Sequence, residues 1–518
     1  MTDASPPILQ LTTKLKKDHH AIYLGRQDRH LIFGSSEDHL LVIGPPRSGK
    51  TSRILTPTVA CHPGPVIAVS TRPDLLADSV AARRTIASHY GGTVQQLSLA
   101  GSHIEPGLAT VRWNLTDGCD QWETARDRAA TVVAAAVPPA HGTDTIWRDS
   151  ASVALSGCLH AAKLLGHSDA RMASYIRSAD LHYYQNSITR RYHKADTNQR
   201  HPAAQSFDWL SNDRVIAPNT RSSVFFVLSQ QVLSAFDYKT VEAEPQRANK
   251  FVSSAASTMY LTIPYERRQQ AAPLVSAFIE AIVAAWRQQR RAHAREDDAT
   301  LLLVLDEAAN ISPLPSLAGL LTSGAGDGIQ VVFALQEPSQ SKAWGDDAGA
   351  VLSGSRLLSI LPGVRDEEYL ANLAQLSHKE VAYDVNVIVS PEWVGGDRYA
   401  TAERLIQERQ YIERQLRGEP SRRHHFLRLK AAQPVARQRR RDGIRCIEDD
   451  TANVLSVLEE IMTYTDVSTL VDRRPTLEVS ELTQASPNTI AFFAGSTYRK
   501  LDIVHWREDE LWKRVLSN

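Results

Sequence analysis

Eight consecutive residues, Gly44-Pro45-Pro46-Arg47-Ser48-Gly49-Lys50-Thr51, have the types and spacing to hold a chain of phosphates. They fit G-x-x-x-x-G-K-[ST] at every fixed position, the pattern called Walker A. Gly44 and Gly49 let the backbone curl so that successive N–H groups face phosphate oxygens, where a side chain would block the approach. Lys50 supplies a point charge for the β/γ-phosphates, the Thr51 hydroxyl suits Mg²⁺, and Ser52 completes the binding stretch. Far along the chain, an apolar run over residues 300–305 closes with Asp306-Glu307. A hydrophobic strand ending in two acids has the pattern of a Walker B element. Asp306 would then serve the Mg²⁺ shell, and Glu307 would orient or deprotonate an attacking water. A third apolar run, 330–335, ends in Gln336, a side chain placed to contact the γ-phosphate and report hydrolysis. The chemistry expected of this set is ATP hydrolysis with Mg²⁺. Lys50, Glu307 and Gln336 are the catalytic candidates, and Thr51 and Asp306 the metal candidates.

The elements that must carry these residues follow from periodicity. Leu40, Leu41, Val42 and Ile43 form a buried-strand run into the glycine loop, and a helical pattern starts at the loop's end, where its dipole adds positive potential. Residues 21–33 read as short strands with a turn. Residues 66–69 and 94–99 read as strands, separated by a helix that begins with a cap at Asp74 and stops at Gly91-Gly92. Strands alternating with helices through short links predict a parallel sheet covered by helices. From about Trp122 the pattern becomes helical through Phe226, with breaks at Pro138-Pro139 and Gly166. Strand character resumes at 257–263 and is stopped by Pro264. A long helix from Pro273 then carries Leu274, Phe278, Ile282 and Ala285 on one side and ends in Arg287, Arg290, Arg291 and Arg295. Those arginines read as C-terminal dipole charge and a solvated face in preference to a ligand surface. The expected class is α/β, a P-loop NTPase with a parallel-rich central sheet and an inserted all-helical domain. The expected division is 21–120 and 246–518 for the nucleotide-binding parts and 121–245 for the insertion.

Composition bounds the alternatives. The chain has 518 residues, 42% of them apolar and 22% charged, which describes a globular protein with room for two or three cores. Lys+Arg and Asp+Glu are equal at 58 each, so any argument for nucleic acid must come from local clusters. Cys61, Cys119, Cys158 and Cys446 stand far apart, which suits a reducing compartment and excludes a disulfide framework. No run approaches the ~20 apolar residues of a spanning helix. The expected location is cytoplasmic, reaching the inner face of the cell membrane only through a partner.

GPPRSGKT and the segment LDEAANISPLPSLAGLLTSGAGDGIQVVFALQEPSQ over 305–340 resemble the coupling-protein ATPases of type IV secretion and conjugation. Trp113-Asn114, the group Trp147, Asp149 and Ala151, and the segment 480–495 resemble outer elements of the same family. The resemblance implies a RecA-like motor, usually a ring of six, that uses ATP to pass DNA or protein to a membrane channel. It also implies two departures. Members commonly carry two N-terminal membrane helices, for which this sequence leaves no room. Their turn before the third strand often reads Gly-Arg-Gly, with the arginine reaching a neighbouring subunit's nucleotide, where this chain has Gly324-Ala325-Gly326. Arg356 and Arg365 are the candidate substitutes.

Residues 399–417 read as an amphipathic helix, followed by a basic stretch. From 398 to 445 there are 14 Lys/Arg against 5 Asp/Glu, an excess of nine. Arg437, Arg439, Arg440 and Arg441 are the candidate DNA contacts, through phosphates and not through bases. A solvated insertion accounts equally for the same charges. Three functions stay open at this level: a motor coupling substrate to a secretion channel, a nucleotide-gated adaptor with little turnover, and a double-stranded DNA translocase. A membrane-anchored channel partner and a hexamer formed with nucleotide or DNA accompany the first.

Overall fold

The computed structural model describes residues 6–376, except 28–29, 98, 100, 138–143, 193–200, 212–216, 234–242, 293–298 and 312. It also describes 388–389, 482, 486, 488–494 and 497–516. The helix expected at 399–417 and the basic stretch to 445 therefore lie outside the described residues.

Helix α1 (Pro7–Lys17) leads into a hairpin of β1 (His20–Gln27) and β2 (His30–Ser35), then β3 (Leu40–Ile43) and the glycine loop. A wide helical turn over Thr51–Leu55 continues as α2 (Thr56–Cys61), followed by β4 (Val66–Ser70), α3 (Asp74–Tyr90), β5 (Val94–Leu97) and β6 (Ala109–Arg112). Six helices come next: α4 (Trp122–Ala136), α5 (Asp144–Leu164), α6 (Asp169–Arg177), α7 (His182–Tyr192), α8 (Pro202–Ser211) and α9 (Pro218–Val227). The chain returns to the sheet through β7 (Glu244–Pro245), α10 (Ala248–Val252), β8 (Thr258–Thr262), α11 (Arg268–Ala292) and β9 (Leu301–Leu305). Helices α12 (Ala308–Ile311) and α13 (Leu317–Ser323) precede β10 (Ile329–Leu335), and α14 (Ala348–Ser353) precedes β11 (Leu357–Ile360). Helix α15 (Glu367–Leu376), β12 (Ile388–Val389), β13 (Thr489–Ala494), β14 (Thr497–Asp502) and α16 (Glu510–Leu516) complete the described chain.

The strands form one sheet in the order β12-β2-β1-β14-β13-β11-β3-β10-β9-β4-β8-β5-β6-β7. From β11 to β7 every pairing is parallel, and from β11 outward to β12 every pairing is antiparallel. The central strands are apolar on both faces because helices cover both. Alternate residues divide between two cores: Leu41, Ile43, Val69, Leu303 and Phe333 face one, and Leu40, Val42, Ala68, Val304 and Val332 the other. The antiparallel wing joins the two ends of the described chain. Ile8, Leu11 and Leu15 of α1 share a third core with Trp512 and Val515 of α16, and Tyr23 meets the Trp512 ring edge-on at 5.1 Å.

Two local expectations differ in detail. Asp74 takes the first helical position of α3 and Pro73 precedes it as the cap, with no side-chain capping bond. Helix α11 starts at Arg268, so Pro273 lies inside it. A 3₁₀ turn over Tyr265–Arg267 feeds the helix directly and starts it before the proline.

Candidate functional site

The glycine loop lies at the carboxyl end of β3, where ligands sit in open parallel sheets. Its turns are set by left-handed residues, Arg47 at φ 65° and Gly49 at φ 91°. The Ser48 N–H donates to Pro45 O at 3.2 Å, and the Gly44 N–H donates to Leu335 O at 3.1 Å, which ties the loop to the end of β10. A Cβ at Gly44 would come within 2.7 Å of Ser48 Oγ and 2.9 Å of the Leu361 Cβ, so only glycine fits there. Pro46 and Arg47 form the exposed tip, while Lys50 is only 8% exposed. Its ammonium donates to the carbonyls of Gly44 and Pro45. Burial lowers the Lys50 pKa, and Asp306 and Glu307 oppose that shift.

Strand β10 separates β3 from β9, so Gln336, at the tip of β10, stands between the loop and the acidic pair. The Gln336 N–H donates to the side-chain oxygen of Gln340 at 2.6 Å, which fixes the strand end. At the end of β9, the Asp306 N–H donates to Val69 O at 2.9 Å. Asp306 Oδ2 accepts from the Thr51 hydroxyl and the Ser70 hydroxyl, each at 3.0 Å. Residues 255 positions apart in sequence thus meet at one oxygen. Burial raises the Asp306 pKa, against the bonds from Thr51 and Ser70 and the charges of Lys50 and Arg72.

Glu307 makes the turn from strand to helix. It has φ 58°, a left-handed conformation that costs a non-glycine residue about 1–3 kcal/mol. Its carbonyl accepts from the N–H groups of Asn310 and Ile311 and so starts α12. Its Oε2 is buried without a hydrogen-bond partner. Burial and then Asp306 raise its pKa, while Lys50, Arg268 and a hydrogen bond from Gln336 pull it down.

The residues present fit a Mg²⁺–nucleotide group. A hydroxyl from the loop and a carboxylate from the strand end share one locus, as an oxygen-ligated ion that keeps its own waters requires. Two buried polar atoms near it, Ser48 Oγ and Glu307 Oε2, have no partner. Among the described residues there is no group of three or more His, Cys, Asp or Glu able to cage a metal.

The structure brings together Gly44 to Ser52, Asp306, Glu307 and Gln336, while Arg437, Arg439, Arg440 and Arg441 lie outside the described residues. Three neighbours were not foreseen: Ser70, Arg72 and Arg268. Ser70 carried one signal, being the polar end of an otherwise apolar strand. Of the candidate substitutes for the missing arginine, Arg356 sits at the opposite, amino edge of the sheet and bonds Asp38 at 3.2 Å. Arg365 is exposed on the nucleotide edge, two residues beyond Gly363, where a Cβ would approach Pro45 to 3.1 Å. The turn at Ala325 is held from α11, since Trp286 Nε1 donates to Asp327 O at 2.9 Å and Arg287 pairs with the Asp327 carboxylate at 2.7 Å. Arg290 donates to Ala299 O at 3.2 Å. Arg287 and Arg290 at the end of α11 are therefore half-buried with tertiary partners, where the sequence reading expected dipole charge and a solvated face.

Among the described residues, no helix is long and apolar enough to cross a membrane. No curated protein matches the chain by sequence. Among solved structures, the bacterial conjugative coupling protein TrwBdeltaN70 in its unbound monoclinic form is similar over 73% of this chain and 82% of that one, at 18% identity and a TM-score of 0.53. TrwB with a non-hydrolysable ATP analogue is similar over 73% and 84%, at 19% identity and a TM-score of 0.52. TrwB with ADP and Mg²⁺ is similar over 70% and 81%, at 18% identity and a TM-score of 0.50. The fold is the RecA-like P-loop NTPase fold expected from the sequence, with a mostly parallel sheet. Residues 8–361, more than half of the chain, match the family described as Type IV secretory system Conjugative DNA transfer. A nucleotide-binding fold, a loop and acid pair joined across the sheet, and this match lead to one assignment: the chain belongs to the conjugative DNA transfer family of the type IV secretory system.

Proposed function

We propose that the chain is an ATP-hydrolysing motor that recruits DNA, or a protein carrying it, and delivers it to a type IV secretion channel. The single observation that carries the hydrolytic part is the meeting of Thr51 and Asp306 at 3.0 Å beside a buried, unpartnered Glu307 oxygen. Lys50 binds the β/γ-phosphates with the ammonium that otherwise holds the loop carbonyls. Thr51 and Asp306 would hold Mg²⁺, which when bound neutralises charge on the phosphate oxygens. Glu307 takes the proton of the attacking water, its raised pKa making it a stronger base than an ordinary glutamate. Gln336, bonded to Glu307 from the strand between loop and acids, passes the state of the site to the rest of the sheet. Residues 121–245 form the cargo-facing helical lobe, and 21–120 with 246–518 the nucleotide-binding parts. Six copies would form a ring at the inner face of the membrane, anchored by a channel partner. The basic stretch 398–445 contacts phosphate backbones.

Turnover tests this reading. Glu307→Gln keeps shape and removes the base, so ATP should bind with near-native affinity while hydrolysis falls by about 10²–10⁴. Wild-type turnover in that variant would remove Glu307 from the reaction. The adaptor reading is favoured by Ala325, which leaves that turn without a cation. Negligible ATP turnover by the wild-type chain, with and without DNA, would select it.

A further inference from the structure

The first turn of α11 runs against the usual electrostatic preference. The amino end of a helix is its positive end, where acids are favoured and cations are not. Helix α11 opens with Arg268 and has no acid in its first turn. Glu266, Arg267, Gln269 and Gln270 are exposed, and Arg268 alone of this run turns inward to become half-buried. The Ile263 N–H donates to Ser70 O at 2.9 Å, so the end of β8 is tied to the strand whose Ser70 hydroxyl reaches Asp306. Pro264 and the 3₁₀ turn over Tyr265–Arg267 then hold the start of α11 at the carboxyl edge of the sheet. There α11 packs against α12, the helix that Glu307 starts.

Tyr265 fixes the Arg268 side chain. The guanidinium lies over the Tyr265 ring, 3.8 Å from its centroid, and Nη1 donates to Tyr265 O at 2.7 Å. Arg268 Nε is buried without a partner. Its charge acts on the Glu307 carboxylate, yet among the described residues Arg268 forms no ion pair. Glu307 Oε2 is likewise buried and unpartnered. Opposite half-buried charges attract strongly at short range, and these two stay apart because the ring and carbonyl of Tyr265 hold the guanidinium. The space between them suits a group that offers negative oxygens to the arginine and a water to the glutamate. Lys50 follows β3 and Arg268 follows β8, so the two cations flank the acid pair at the end of β9 from opposite sides.

We propose that Arg268 is a catalytic cation for the γ-phosphate of ATP bound to its own chain, a role for which the turn at Ala325 has no side chain. It rests on the hydrolytic reading above and adds a residue to it. In the step, the water oxygen bonds to the γ-phosphorus while the bond from that phosphorus to the bridging oxygen of ADP breaks. Glu307 takes the water's proton, and ADP and phosphate leave. Negative charge spreads over the γ-phosphate oxygens as this happens. A forked guanidinium meets two such oxygens at once, and its stack on Tyr265 lowers the entropy lost in doing so.

Titration calorimetry on the full chain, with ADP and with a non-hydrolysable ATP analogue, reads this contact without turnover. Arg268→Ala and Arg268→Gln should each weaken binding of the analogue by about 10- to 150-fold, the equivalent of ~1.5–3 kcal/mol for a charge-assisted bond. ADP affinity should stay native, which reports an intact fold and loop. In the same variants kcat should fall by about 10³–10⁵, the range for an arginine at this transition state. Mixing Arg268→Ala chains with Lys50→Ala chains tests whether the cation serves its own chain, and the mixture should stay inactive. Native affinity for the analogue, or equal losses for analogue and ADP, would overturn the γ-phosphate contact. Turnover restored in the mixture would place Arg268 at a neighbour's nucleotide and overturn the same-chain assignment. A wild-type chain that binds neither nucleotide would overturn the nucleotide reading itself. One that binds both without hydrolysis would remove the motor reading, and the affinity difference would still decide the contact.

Discussion

Two cations are buried at opposite edges of the same sheet, and each is held by main-chain carbonyls. Arg83, on α3, is fully buried at the amino edge. Its guanidinium donates to Thr258 Oγ1 at 2.8 Å, to Gly64 O at 2.8 Å, to Ala256 O at 3.3 Å and to His62 O. Lys50 is nearly as buried at the carboxyl edge and also bonds two carbonyls, but beside it stand Asp306 and Glu307, the latter strained and with an unpartnered oxygen. Arg83 has used its donors on neutral partners and tightens the turns before β4 and β8. The polar groups around Lys50 are incompletely satisfied, and burial shifts all three ionisable members toward their neutral forms. A satisfied buried charge marks architecture, and an unsatisfied cluster marks a place prepared for a ligand.

The difference predicts opposite phenotypes. Lys50→Ala should lower affinity for an ATP analogue by roughly 100-fold, from the loss of about 3 kcal/mol of charge-assisted bonding, and leave the denaturation midpoint nearly unchanged. Arg83→Met should do the reverse. Stranding the carbonyls of His62, Gly64 and Ala256 should cost on the order of 3 kcal/mol in denaturant unfolding, with native nucleotide affinity well below the melting temperature. Titration calorimetry and urea denaturation on both variants check the pair, and a destabilised Lys50→Ala with native affinity would erase the contrast.

The acid pair gives two smaller effects. Because burial raises the Glu307 pKa, the base is lost to protonation at a pH above the range of an ordinary glutamate. The acid limb of kcat/KM, which reports the free enzyme, should therefore lie above that range, and a limb at or below it would contradict the site geometry. Asp306 supplies the smallest effect. Its raised folded pKa means that its contribution to stability is complete below the unfolded pKa and is lost as pH rises through the folded one. At pH 7 the ionised group therefore costs stability. Asp306→Asn, which can still accept from Thr51 and Ser70, should melt a few degrees higher without nucleotide, about 2–4 °C per kcal/mol. That gain should vanish in acid, and Mg²⁺-dependent nucleotide binding should be lost. A lower melting temperature at pH 7 would mean that the carboxylate is structural.

The loop Gly44 to Thr51, the run into Asp306-Glu307 and the run into Gln336 were legible because each is local: strand, turn and helix signals within a few residues specify each fragment. The turn at Gly91, the break at Gly166 and the helical segment after Trp122 were legible for the same reason. Sequence spacing holds no record of distances across a sheet. The strand order that puts β10 between β3 and β9, and so Gln336 between the loop and the acids, follows from which faces and edges pack best together. The same packing placed Ser70 against Asp306, Arg268 near Glu307 and Arg356 at the wrong edge for a nucleotide. It also closed α1 and α16 into one core from opposite ends of the chain. By itself the sequence determined which chemical groups exist and the local geometry each is presented in, because backbone sterics and periodicity act over a few residues. Only the tertiary structure decided which groups meet, which remain unsatisfied and which pKa values move, because burial and electrostatic proximity belong to the packed chain.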